Sequence, residues 1–143
     1  MRSLPSLPYL AVSIALASCT SIQVEPIAEP LSPEAICIVE NPKVIVGDFL
    51  SVVRNRIEDH GIRTAVYAAE PPPDECEYAL SYVALKRWDM ATYLYHAELR
   101  LMREGRRVGY AEYHLRGGGG LYPLKWRGTK AKMRPVVDRL LRR

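Results

Sequence analysis

The sequence predicts an α+β fold: an antiparallel sheet of about five strands with two helices on one face, in the order β-α-β-β-β-β-α. Two amphipathic stretches of helical period bracket a central block whose period is two. A run of four glycines then separates the last strand from the closing helix. Helices that segregate to one side of such a block bury their apolar stripes against one face of a sheet.

Before the first of these elements come three segments with different tasks. Residues 1–18 carry Arg2 as their only charge, then a mainly apolar run from Leu7 to Ala17, then small residues. That is the layout of a secretory signal peptide, and the run is about half the ~20 residues a spanning helix requires. Residues 19–33, "CTSIQVEPIAEPLSP", hold prolines at 26, 30 and 33 and few large apolar groups. Proline removes backbone donors and favours extended chain, so a tether is expected here, reaching roughly 40 Å at ~3.1 Å per residue. Residues 34–143 remain for one domain of ordinary size.

Within that domain "EAICIVE" at 34–40 is β-branched and reads as a strand. Val46, Phe49, Leu50, Val53 and Ile57 recur at helical spacing, which predicts a helix over 43–60 stopped by Gly61. The strand "IRTAVYAA" follows, and "EPPPDE" breaks the pattern. Between Cys76 and Arg116 the alternation Tyr78, Leu80, Tyr82, Ala84 is succeeded by Ala91, Tyr93, Tyr95, Ala97, Leu99 and Leu101. The turn "REGRR" leads into "VGYAEYHL", completing a three-strand meander, although the alanine, leucine and glutamate content of 91–103 also suits a helix. Last, Met133, Val136, Val137, Leu140 and Leu141 form an apolar helical stripe, with Pro135 expected in the first turn and a start as late as Arg134.

Leu16-Ala17-Ser18-Cys19 resembles the lipobox of bacterial lipoproteins at all four positions. The resemblance implies cleavage before Cys19, acylation of its thiol and amine, and a lipid anchor of two or three chains, since one chain alone binds marginally. Thr20 and Ser21 lack the aspartate that in this class retains proteins at the inner membrane, which implies the periplasmic face of the outer membrane. Export to an oxidising compartment predicts that Cys37 and Cys76 pair as a disulfide, with two buried free thiols as the alternative.

Charge divides along the chain. Residues 19–77 hold 4 basic and 11 acidic side chains; residues 78–143 hold 15 and 5. A basic half interleaved with Tyr78, Tyr82, Trp88, Tyr93, Tyr95 and Trp126 would suit nucleic acid in a cytosolic protein. Behind an export signal the available anions are instead an envelope protein or an anionic glycolipid. A solvated basic face neutralised by the acidic half is the plainer reading.

Catalytic motifs are missing: there is no G-x-S-x-G, no H-E-x-x-H and no Walker A, so no enzyme and no cofactor are expected. His96 and His114 lie on neighbouring predicted strands but read as packing or surface residues, and no metal is expected. The stretch "GGGGLYPLKWRG" offers Tyr122, Lys125, Trp126 and Arg127 as a partner-binding loop, or a flexible connection whose aromatics close one end of the core.

With its lipobox, proline tether, cysteine pair, "RWD" between strands, glycine run and closing "KMRPVVDRLL" helix, the chain resembles small outer-membrane lipoproteins of Gram-negative bacteria that carry no assigned activity. Its element order is also similar to periplasmic α/β domains such as the amino-terminal domain of TolB and the curli-secretion lipoproteins. The resemblance implies a lipid-anchored, non-enzymatic adaptor or assembly module. The alternative, read from the tyrosine-rich sheet face, is an auxiliary subunit of a lipid or lipopolysaccharide transport complex in which that face would contact acyl chains.

Overall fold

The computed structural model describes residues 20–28, 32–116 and 123–142. Six strands form one sheet: β1 (Thr20–Glu25), β2 (Ala35–Val39), β3 (Arg63–Tyr67), β4 (Tyr78–Asp89), β5 (Ala91–Arg103) and β6 (Arg106–Leu115). Their spatial order is β1-β6-β5-β4-β2-β3. Helices α1 (Phe49–Asp59) and α2 (Thr129–Leu140) pack side by side on one face. Among the described residues no helix is long and apolar enough to cross a membrane.

The α+β class is as expected, but the sheet has six strands and is mixed. β2 pairs in parallel with both β3 and β4, whereas β1, β4, β5 and β6 form antiparallel ladders. The helical crossover through α1 is the cause: it returns the chain to the end from which β2 started, so β3 can add only in parallel. The sixth strand is β1, which corrects the tether expected over 19–33. Thr20, Ile22 and Val24 alternate as a half-buried edge strand against Leu115, Tyr113 and Ala111. The prolines begin only at Pro26, after the ladder is complete, so they end the strand without preventing it.

Alternation sorts the residues of each strand. Tyr78, Leu80, Tyr82 and Ala84 of β4, Ala97, Leu99 and Leu101 of β5, and Ala111, Tyr113 and Leu115 of β6 form the helix-covered face. Phe49, Val53 and Ile57 of α1 and Met133, Val136, Val137 and Leu140 of α2 close over them. The Cβ position of Gly109 lies 3.0 Å from Leu140 Cδ1, so α2 approaches β6 too closely for a larger residue there. The tyrosine-rich face on which acyl contact was expected is therefore the core: Tyr78, Tyr82, Tyr93 and Tyr113 are all buried.

Cys37 alternates with the core residues Ile36 and Ile38 and so points to the helix-free face, where it forms the expected disulfide with Cys76. β3 and β4 both run parallel to β2, so the segment 68–77 must recross the sheet, and the disulfide fastens the end of that crossing. The cysteines are 39 residues apart in sequence, and closing a loop of that length stabilises by about 4 kcal/mol in the chain-entropy account.

Helix α1 is shorter than the predicted 43–60. Residues 41–48 instead form turns in which Lys43 N donates to Asn41 Oδ1 (3.0 Å) and Asn41 Nδ2 to the Tyr82 carbonyl (3.0 Å). Helix α2 is longer than predicted, with Pro135 in its interior. The turn before the proline is held from outside. Thr129 Oγ1 donates to Asp48 Oδ1 (2.8 Å), and Lys132 Nζ donates to the carbonyls of Leu94 (2.8 Å) and Lys125 (2.5 Å). These bonds offset the ladder bond that proline cannot make.

Candidate functional site

The β4–β5 hairpin outgrows the sheet. β6 pairs with β5 only as far as His96↔His114, so the residues from about 86 to 94 project past the last strand of the ladder. A bulge at Leu85/Lys86 marks the departure, and beyond it the alternation lapses: Tyr93 and Leu94 are both buried, while Tyr95 lies on the helix-free side under the Arg87 guanidinium, 4.1 Å from its ring centroid.

At the tip, Trp88 and Met90 are each 75% exposed. Met90 has φ of 59°, a left-handed conformation that glycine or asparagine adopts more readily. An exposed apolar side chain on a strained backbone makes the tip a candidate contact point. Lys86 and Arg87 on β4 and Arg116 just past β6 are exposed around this end, as are Leu124 and Arg127.

The expected partner-binding residues separate here. Lys125 is 1% exposed and forms an ion pair with Asp89; the Trp126 indole Nε1 donates to the Asp89 carbonyl (3.0 Å). Both belong to the 3-10 turn Pro123–Trp126, which locks onto the hairpin; Lys125 is buried, while Trp126 is half-buried and lines a cleft. Burial takes Lys125 out of the expected partner-binding set, and the Trp126 ring packs at the end of the core. Arg127 is exposed and lines a cleft of about 240 Å³ with Ile45, Lys86 and Thr92. Cys19, Tyr122 and the glycines at 117–120 lie outside the described residues. Sequence reading counted Trp88 among the aromatics of the basic half but did not single out Trp88 with Met90 at an exposed hairpin tip.

Burial sets the chemistry beneath the hairpin. The Lys132 ammonium sits among Tyr93, Tyr113 and two carbonyls, and desolvation lowers its pKa to about 8. At the far end of the helices, Arg56 Nε donates to Asp138 Oδ1 (2.6 Å), and this bond, with His60 Nε2 2.8 Å away, holds the Asp138 carboxyl below its usual range.

His96 and His114 do face each other. They are directly opposite in the β5–β6 register on the helix-free face, with Nδ1 atoms 3.3 Å apart. Glu98 and Glu112 form the next opposed pair. Tyr110 OH donates to Glu112 Oε2 (2.8 Å); burial first, and then this hydrogen bond, push its pKa up to about 12, so it remains a donor.

No family model matches the chain, and no curated protein matches it. Among solved structures, two dodecamers of PelC from Paraburkholderia phytofirmans are similar in fold. A single-substitution variant superposes with a TM-score of 0.61 at 14% identity, covering 85% of this chain and 98% of that one. A second structure gives 0.57 at 12% identity, covering 84% and 95%. At such identities the likeness extends to the fold.

Proposed function

We propose that this protein is a lipid-anchored, non-enzymatic envelope module that rests one end of its sheet on the membrane and offers the remainder to a protein or anionic glycolipid partner. A single observation carries the reading. β1 begins at Thr20, one residue after the lipobox cysteine Cys19, and Thr20 pairs with Leu115 at the same end of the sheet from which the Trp88–Met90 hairpin projects. With no spacer between anchor and ladder, acyl chains on Cys19 would hold that end against the bilayer.

The chemistry of the end suits the task. Tryptophan prefers the headgroup region, and each Lys or Arg near an anionic surface contributes about 1 kcal/mol. Trp88, Met90 and Leu124 supply exposed apolar area, ringed by Lys86, Arg87, Arg116 and Arg127. Transport of acyl chains on the tyrosine-rich face is not favoured, because α1 and α2 cover it. The dodecamers formed by the PelC neighbours lend support to self-association as part of the same role, in which several anchors would act together.

The test compares the wild type with Cys19→Ser by intact mass and membrane fractionation, and reads depth through Trp88 fluorescence in a Trp126→Phe background. Acyl mass on the wild type alone, with Trp88 quenched by brominated lipid in vesicles, is the expected result. An unacylated wild type overturns the anchor. An acylated protein whose Trp88 is not quenched overturns the orientation. Light scattering of the purified protein gives the number of copies.

A further inference from the structure

The helix-free face carries a box of four side chains that the membrane reading does not use: His96 and Glu98 on β5, opposite His114 and Glu112 on β6. The opposed imidazoles supply ring nitrogens as candidate ligands, and the opposed carboxylates beside them, Glu98 and Glu112, are disfavoured across a ladder unless hydrogen bonds or a cation offset their repulsion. Arg100 answers part of this by pairing with Glu98, and Tyr110 OH bonds Glu112. The two imidazole rings meet through their Nδ1 atoms, which lie within hydrogen-bonding distance of each other.

We propose that His96, His114 and Glu112 bind a divalent transition-metal ion of the zinc type. Two nitrogens each about 2.05 Å from a common tetrahedral zinc lie about 3.3 Å apart. The two Nδ1 atoms are separated by 3.3 Å. One ligand atom from each of the three residues lies within 4.8 Å of the others, and all three residues are half-buried. Two imidazoles and one carboxylate make a borderline donor set that favours zinc over calcium or magnesium.

The surrounding bonds orient the ligands as a metal requires. His96 Nε2 lies 3.0 Å from Glu98 Oε1, so that Nε2–H donates to the carboxylate and Nδ1 keeps its lone pair for the cleft. A carboxylate behind a ligating histidine fixes the tautomer and raises ligand basicity. Glu98 is steadied by Arg100, and Glu112 by Tyr110. Tyr95 packs edge-on against the His114 ring at 6.4 Å and walls one side. Three protein ligands leave a fourth position toward the open side of the sheet, for water or for a group from a partner.

Purified full-length protein in detergent, stripped with a chelator, is titrated with ZnCl2 against a chromogenic chelator while the histidine ring resonances are followed by NMR. One ion per chain is expected, with the His96 and His114 rings shifting together and His60, bound to Asp138 on the opposite face, unmoved. His114→Ala should abolish the binding and Glu98→Gln should weaken it about 10-fold or more. Zinc that binds without moving the His96 and His114 resonances, or that does not bind in competition with the chelator, overturns the proposal. The NMR readout on the unmutated chain decides even where a variant fails to fold.

Discussion

Leu99 and Arg100 are neighbours on β5, yet they face different worlds. Leu99 points under α1 and α2 and is fully buried; Arg100 points to the helix-free side, is exposed, and pairs with Glu98. The same alternation runs through β4 and β6, so a single sheet presents an apolar face that stabilises the fold and a polar face on which His96, Glu98, Glu112 and His114 converge. Stability and candidate chemistry are thus separated by one residue of register.

This contrast can be broken most strongly from the covered side. Leu99→Ala removes a side chain from the sheet centre where two helices prevent collapse, and should cost about 2–5 kcal/mol in a urea titration. A loss below about 1 kcal/mol would mean that the helices do not close that face. Lys132 tests the boundary, because it is a charge placed within the covered layer. Its pKa falls from 10.5 to about 8 on folding, so below pH 8 both states are protonated and the cost of burial is felt in full. Above pH 8 the folded state releases its proton first, the unfolded chain binds more, and stability should rise with pH toward about 10. Beyond pH 10 the raised Tyr110 acts in the opposite sense, since the unfolded phenol ionises first. Lys132→Met should lack the rise between pH 8 and 10, as measured by thermal unfolding at a series of pH values. The smallest effect belongs to the open face: Arg100→Gln breaks an exposed ion pair and should change stability by less than about 1 kcal/mol. A larger loss would show that the polar box is part of the folding core.

Much of the fold was legible because periodicity is a local property. Phe49, Val53 and Ile57, the Tyr78–Ala84 alternation, the Glu104-Gly105 turn with both residues at positive φ, and the closing apolar stripe all announced their elements. What misled was also local. The prolines after Glu25 made a six-residue edge strand resemble a tether, and Pro135 suggested a late helix start because the bonds of Thr129 and Lys132 that hold the preceding turn come from distant residues. Lys125 and Trp126 looked like an exposed basic-aromatic loop, and only their partner Asp89, 36 residues earlier in the chain, turns Lys125 inward. The polar box had a sequence trace, H-x-E in "YHAELR" and E-x-H in "YAEYHL", which antiparallel strands can superpose.

Sequence alone determined the cysteine pair, the charge asymmetry and the identity of most helices and strands, and it carries the resemblance of residues 1–19 to a lipoprotein signal as an expectation, because each depends on residue type and spacing along a few turns of chain. Tertiary structure alone decided that the sheet is mixed, that β1 begins beside Cys19 at the hairpin end, and that His96, Glu112 and His114 share one point on its open face. These depend on strand order and register, which are set by the crossover through α1, by the β5–β6 turn and by burial of alternate residues under two helices. No single segment contains that information.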